Sequence, residues 1–476
     1  MELFGLRERG PEELLAVEDG GGRVLCGELF AAGEGLARAG CRRELVFVLC
    51  ESTAGTLLGY LGCLLCGAVP LLLDAHTSPQ LLRGLAEVYR PAFYLVPRDL
   101  PAQSRAQLPP AAPVLELRDR VLLAAGGRGP ALHRELALLL ATSGSTGSPK
   151  LVRLSGKNLQ SNARAIAEYL ELTPEERPIT TLPMSYSYGM SIVNSHAQAG
   201  APLLLTRRGI LERGFWETAA GEGATSLAGV PYTYQMLQRL GPAAMDLPRL
   251  RYLTQAGGRL PPELHREFAA WAAETGRRFY VMYGQTEAGP RMGYLPPERA
   301  VEKCGAMGIP IPGGRFWLED GDGRALDSPE ASGELVYQGE NVAMGYARTA
   351  QDLGRGDEWG GVLRTGDLAR RDADGIYYIV GRKKRFVKLY GSRVSLDGAE
   401  RLLCSRFPGA QFACVGRDGL LSVYVSPPSG EAAEGAADYL AAQTRLPRGA
   451  FRVCPVEDIP RTEAGKTCYA RLNGDG

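Results

Sequence analysis

Residues 138–155 read LLLATSGSTGSPKLVRLS. An apolar run enters a stretch of glycine, serine and threonine, passes a proline and ends on Lys150, after which KLVRL returns to strand character. Glycines let backbone N–H groups approach an anion, hydroxyls add donors and the lysine supplies charge, so the stretch suits phosphates. It is not a Walker loop, because Leu151 rather than Ser or Thr follows Lys150 and the chain re-enters a strand instead of a helix. Taken alone, the same composition fits an ordinary surface turn equally well.

Working outward, apolar runs at 45–49 (LVFVL), 68–73 (AVPLLL), 92–96 (AFYLV) and 201–205 (APLLL) alternate with helical stretches. Between residues 158 and 170, for example, Leu159, Ala163, Ile166 and Leu170 recur at helical spacing. Alternation of this kind predicts an α/β protein with helix-covered, mostly parallel sheets. Residues 97–130, rich in Pro, Ala, Gly and Arg, read as a surface connection. Residues 52–73 carry no charge and are long enough to cross a bilayer. Recurrent glycine and the break from Gly67 to Pro70 predict instead a packed helix, a tight turn and a buried strand, with no membrane span.

From about residue 300, GRFWLED, GELVYQG and GIYYIVGR predict a small β element, and the residues after GRKKRFVK (381–388) a compact α+β unit. The expected domains are an N-terminal core over 1–383 and a small, mobile C-terminal domain over 384–476, with the boundary near Lys384. The net charge of +1 offers no global field for nucleic acid or anionic lipid. Ten cysteines behind a charged N-terminus, MELFGLRERG, point to a reducing, cytoplasmic setting. Cys63 and Cys66 lie in an apolar run with no nearby histidine cluster and read as packing rather than a metal or redox pair.

Four further segments follow the loop in order: YGQTEAG (283–289), RTGDLARRDADG (364–375), GRKKRFVKLYGSRV (381–394) and PRTEAGKTCYARL (460–472). With TSGSTGSPK they resemble the signatures of the ANL superfamily of adenylate-forming enzymes, which holds acyl-CoA synthetases, peptide-synthetase adenylation domains and luciferase. The resemblance covers nearly the whole chain. It implies activation of a small carboxylic acid by ATP and Mg²⁺ through an acyl-AMP, then transfer to CoA or to the phosphopantetheine of an acyl carrier protein.

By position the resemblance assigns Thr142, Ser143, Gly144, Ser145, Thr146, Gly147 and Lys150 to the ATP phosphates. Gly257 and Gly258 would lie against the adenine with Tyr283, Gly284 and Gln285 beside it. Thr286 would meet the α-phosphate and Glu287 would hold Mg²⁺, a hard cation that takes carboxylate and phosphate oxygens. Asp367, assisted by Arg382, would hold the ribose. Lys466 would be the catalytic residue, an ammonium placed where negative charge gathers as the acid attacks the α-phosphate. Lys384 would be the hinge for a domain rotation between the two half-reactions, admitting the thiol beside Gly391. The basic run Arg382, Lys383, Lys384, Arg385 and Lys388 fits either the CoA 3′-phosphate or an acidic carrier, or is simply a solvated face.

The segment LPMSYSYGMSIVNSH (182–196) corresponds to the acyl-pocket wall. Tyr186, Tyr188, Gly189 and Met282, with Tyr232, would line an apolar or aryl-acid pocket, and His196 reads as structural. Amino-acid-activating relatives carry an aspartate where Gly189 stands, so an ammonium-bearing substrate is disfavoured. Acyl-CoA ligases commonly have histidine at Tyr186, a glycine stands at Leu151 in relatives, and an arginine at Tyr469. Two other functions remain open: a non-catalytic nucleotide or acyl-adenylate binding protein, and an amide ligase using the same adenylate.

Overall fold

The computed structural model describes residues 3–105, 108–141, 150–241, 245, 247–328, 331–383, 385–390, 392–417, 419–461 and 467–472. The chain divides into two compact units, one of residues 1–315 with 338–363 and one of 316–337 with 364–476.

The first unit is built on an eight-stranded sheet in the order Gly345–Ala347, Leu151–Ser155, Leu136–Ala141, Val69–Asp74, Leu45–Cys50, Phe93–Pro97, Arg120–Ala124, Ala112–Leu117. Its centre is parallel and its flanks antiparallel. The central strand Leu45–Cys50 is buried throughout, and its residues alternate between two cores. Val46, Val48 and Cys50 join one with helices Cys26–Arg38 and Ala54–Cys66, while Leu45, Phe47 and Leu49 join the other with helix Pro79–Tyr89. A strand covered on both faces is apolar without alternation, as LVFVL shows.

The uncharged stretch is the expected helix, turn and strand. Helix Ala54–Cys66 is capped by the Thr53 side chain, ends on Gly67 at φ 78° and leads into Val69–Asp74. Its recurrent glycine reflects close packing: a Cβ on Gly59 would lie 2.0 Å from Leu95 Cδ2. Among the described residues no helix is long and apolar enough to cross a membrane.

One local expectation needs correction. Residues 97–130 are more than a connection, since Ala112–Leu117 and Arg120–Ala124 form an antiparallel pair that extends the main sheet. The Pro and Ala content concealed an edge strand, where Pro113 costs no internal ladder bond. Strand Leu203–Leu205 pairs with Leu14–Glu18 in a separate three-stranded sheet. A five-stranded sheet, Ser226–Gly229, Tyr252–Gln255, Arg278–Gly284, Arg291–Tyr294, Ile309–Pro310, completes this unit.

The second unit contains the small β element, a four-stranded sheet of Arg315–Glu319, Ser332–Gln338, Val362–Arg371 and Tyr377–Arg382. It also holds the pair Phe386–Leu389 and Ser392–Ser395, and a three-stranded sheet, Gln411–Arg417, Leu420–Ser426 and Phe451–Pro455. Helices Leu396–Arg406 and Glu431–Thr444 share a core with these last elements through Leu403, Phe407, Val423 and Leu440.

Candidate functional site

In the first unit, strand Arg278–Gly284 ends in a tight turn and the chain returns antiparallel as Arg291–Tyr294. The Gln285 N–H donates to the Pro290 carbonyl at 3.0 Å and the Ala288 N–H to the Gln285 carbonyl at 2.9 Å. The turn gathers Tyr283, Gly284, Gln285, Thr286 and Glu287. Gln285 Nε2 donates to the Tyr283 hydroxyl at 3.4 Å, and the Thr286 hydroxyl lies 3.2 Å from that of buried Ser187, the first residue of helix Ser187–Gln198.

Glu287 is held by a residue far along the chain. The Tyr346 hydroxyl donates to Glu287 Oε1 at 2.6 Å, and the Lys150 ammonium stands 3.7 Å from the centre of the Tyr346 ring. Burial, reinforced by the neighbouring Glu287 charge, raises the Tyr346 pKa and keeps the phenol a donor. Fully buried Arg153 fixes this strand: it donates to the carbonyls of Tyr346 at 3.2 Å and Met344 at 3.1 Å and is paired with Glu358. One end of the glycine-rich loop and the carboxylate assigned to Mg²⁺ are thereby joined through one tyrosine. The loop residues Thr142, Ser143, Gly144, Ser145, Thr146 and Gly147 lie outside the described residues. Leu151 is fully buried in a sheet core.

Helix Ser187–Gln198 also walls a narrow cavity, together with Tyr169, Tyr252, Thr254, Met282 and Arg291. About 20 Å³ of it is open to the centre of a water molecule. Tyr188 lines it, with its hydroxyl donating to Thr254 Oγ1 at 2.8 Å, and the Tyr169 hydroxyl points at Met282 Sδ at 2.9 Å. His196 is in the wall too; its ring nitrogens lie 2.8 Å from the Ile192 carbonyl and 3.2 Å from the Tyr252 hydroxyl. Burial lowers its pKa to about 4, so it is neutral near pH 7. Tyr232 is 43% exposed and outside this wall. Tyr186 instead approaches the glycine pair: a Cβ on Gly257 would lie 2.5 Å from its hydroxyl. Gln255 Nε2 donates to the Gly258 carbonyl at 2.9 Å and shapes the same turn.

Packing requires glycine at position 189. A Cβ there would lie 2.2 Å from the Pro183 carbonyl oxygen and 2.8 Å from that of Leu182, so neither aspartate nor alanine fits this backbone. Gly189→Ala should destabilise the first unit by about 1–3 kcal/mol, seen as a lower melting temperature. An unchanged melt would show that the turn at 182–183 yields freely.

In the second unit, Asp367 is 4% exposed and accepts a bond from Arg382 Nε at 3.1 Å across adjacent strands. Among the described residues, part of the basic run is paired internally. Lys383 pairs with Glu334 at 2.6 Å, and Arg385 is paired with Asp397 and with Glu400 at 2.9 Å. The Arg385 guanidinium also lies 3.9 Å over the Tyr469 ring and donates to the Tyr469 hydroxyl at 3.0 Å. Tyr469 thus anchors the segment that follows TEAGK. Lys384, Gly391 and Lys466 lie outside the described residues.

Sequence reasoning passed over Tyr346, Arg153, Ser187 and Arg291. The first three carry no local signal, because their roles depend on partners 59 to 205 positions away in the chain, or 99 for Ser187. Arg291 did leave a trace, as a charge at the start of a strand otherwise apolar, RMGYL.

A family model described as AMP-binding enzyme matches residues 28–347. The chain belongs to the AMP-binding enzyme family. Sulfoacetate–CoA ligase of Cupriavidus necator is 31% identical over 385 residues, covering 77% of this chain and 72% of that protein. Anthranilate–CoA ligase of Pseudomonas aeruginosa is 29% identical over 454 residues, covering 87% and 83%. The fold matches o-succinylbenzoate CoA synthetase of Bacillus subtilis, solved with its acyl-adenylate intermediate, at a TM-score of 0.77 and 22% identity over 99% of this chain and 98% of that one. Family membership agrees with the adenylate-forming resemblance drawn from the five motifs.

Proposed function

We propose that this AMP-binding enzyme is an AMP-forming acid–thiol ligase: a small carboxylic acid and MgATP give acyl-AMP and pyrophosphate, and the acyl group then passes to CoA or a carrier-protein phosphopantetheine. The observation that carries the reading is the chain Lys150–Tyr346–Glu287, which sets an ammonium over the ring and a carboxylate at the hydroxyl of one half-buried tyrosine. Curated relatives named as ligases of CoA with sulfoacetate and anthranilate support the acid and the acceptor.

Glu287 fits a magnesium ion. One carboxylate oxygen is fixed by Tyr346, and a hard cation held by Glu287 would take its remaining ligands from phosphate and water, as Mg²⁺ does. Bound there, it would neutralise charge on the phosphates. Thr286, positioned by Ser187, donates to the α-phosphate, and Gly257, Gly258, Tyr283, Gly284 and Gln285 receive the adenine. Asp367, oriented by Arg382, accepts from the ribose hydroxyls. Lys466 supplies positive charge at the attacking oxygen, and a turn about Lys384 between half-reactions, with the thiol entering beside Gly391, belongs to the same proposal. The internal pairing of Lys383 and Arg385 weakens the case for the basic run as an acceptor-binding face. A cytoplasmic setting is part of this reading, supported by ten cysteines that are all free.

Acid-dependent exchange of labelled pyrophosphate into ATP tests the first half-reaction, and product mass with CoA or an amine separates thiol transfer from amide ligation. ATP binding without exchange across short-chain, long-chain, aryl and amino acids would favour a non-catalytic binding protein. Tyr346→Phe, which frees Glu287 but keeps the ring under Lys150, should lower exchange about 10- to 100-fold, the usual cost of losing a partner that orients a metal ligand. A wild-type rate in that variant would remove Tyr346 from the machinery.

A further inference from the structure

Arg291 is 3% exposed, lines the cavity described above, and its Nη2 has no hydrogen-bond partner. Among the described residues it forms no ion pair, and no Asp or Glu is in the cavity wall. Its guanidinium lies 3.9 Å over the ring of Tyr188, itself 2% exposed. Cation–π contact with one ring recovers part of the cost of burying the cation, but leaves donors with nowhere to donate. A buried charge is ordinarily paired, and each buried donor bonded.

The backbone at this point is held firmly. The Arg291 carbonyl accepts from Asn162 Nδ2 at 2.9 Å and from Asn341 Nδ2 at 2.8 Å, and both asparagines are buried. Asn341 also donates to the Ala288 carbonyl at 2.7 Å, which ties Arg291 to the turn carrying Thr286 and Glu287. The other polar groups of the cavity wall are the hydroxyls of Ser191, Ser195, Ser226 and Thr254, the phenols of Tyr169, Tyr188 and Tyr252, and neutral His196. This is a rigid site with positive charge and neutral hydroxyls, in which the compensating negative charge is missing.

We infer that the missing charge belongs to the substrate: the acid this enzyme activates carries a second anionic group, carboxylate or sulfonate, at the end remote from the reacting carboxyl, and Arg291 pairs with it. The inference rests on the cavity being the acyl pocket of the proposed ligase. A planar guanidinium offers parallel donors to a carboxylate or sulfonate, which an ammonium does not. Acids with an apolar tail would bury Arg291 unpaired and are rejected for that reason.

The test compares succinate with butanoate and malonate with propanoate on the full-length chain, by pyrophosphate exchange and by calorimetric titration. Wild type should favour the diacid of each pair on the order of 100-fold in kcat/KM. Arg291→Met should erase that preference chiefly through KM and leave or raise the melting temperature, because removing an uncompensated buried charge relieves a cost. Arg291→Lys should restore part of the preference. Preference for the monoacid in wild type would overturn the inference while leaving the ligase reading intact. Equal loss on both acids in Arg291→Met with a lowered melt would also overturn it, marking Arg291 as support for Tyr188. Calorimetric preference for the diacid without any exchange would uphold the anion site and refute the ligase.

Discussion

Alanine at Lys466 should slow acid-dependent pyrophosphate exchange by about 100- to 1,000-fold while ATP still binds. In the proposed step the substrate carboxylate attacks the α-phosphate, and negative charge builds on oxygens that an ammonium can stabilise without reorganising. An interaction made mainly in the transition state lowers kcat and kcat/KM together and leaves ground-state nucleotide affinity little changed. Exchange kinetics and ATP calorimetry on the same variant read the two halves of that statement. Wild-type exchange would strip Lys466 of its role. The segment after it has a described anchor: Tyr469 donates to Glu400 at 3.2 Å and accepts from Arg385.

The second large effect is expected at Glu287. Glu287→Gln keeps shape and one acceptor oxygen but removes the charge that a hard cation needs, so exchange should fall by at least about 100-fold, the upper end of what losing even a supporting partner costs. The Mg²⁺ concentration for half-maximal rate should rise at the same time. Loss of rate at unchanged Mg²⁺ dependence would mean that Glu287 acts on substrate rather than on the ion. Tyr346→Phe should move the same parameter in the same direction by less, since the carboxylate remains.

Much of the architecture was open to reading from patterns that act over a few residues. The run at 52–73 resolved into helix, turn and strand because glycine permits the positive φ at residue 67, and the α+β character of the last ninety residues followed from FACVG, LLSVYVS and the helical stretch after them. The strand Ala112–Leu117 escaped notice because an edge strand tolerates proline and exposes most of its residues, which erases the usual apolar signature. At the site, the turn YGQTEAG and the pair Asp367 and Arg382 stood out through their motifs. The basic run at 382–388 was open to two functions, and it proved to be largely paired within its own unit, a fact invisible until Glu334, Asp397 and Glu400 are placed beside it.

Sequence by itself determined the family and the α/β character, because glycine turns, hydroxyl clusters and apolar periodicity act through neighbours close along the chain. Tertiary structure alone decided that Tyr346 grips Glu287, that Gly189 has no room for a side chain, and that Arg291 is a buried cation with no ion pair among the described residues. Charge compensation and steric room are sums over everything nearby in space, and residues 162, 188, 291 and 341 become neighbours only when the chain has folded.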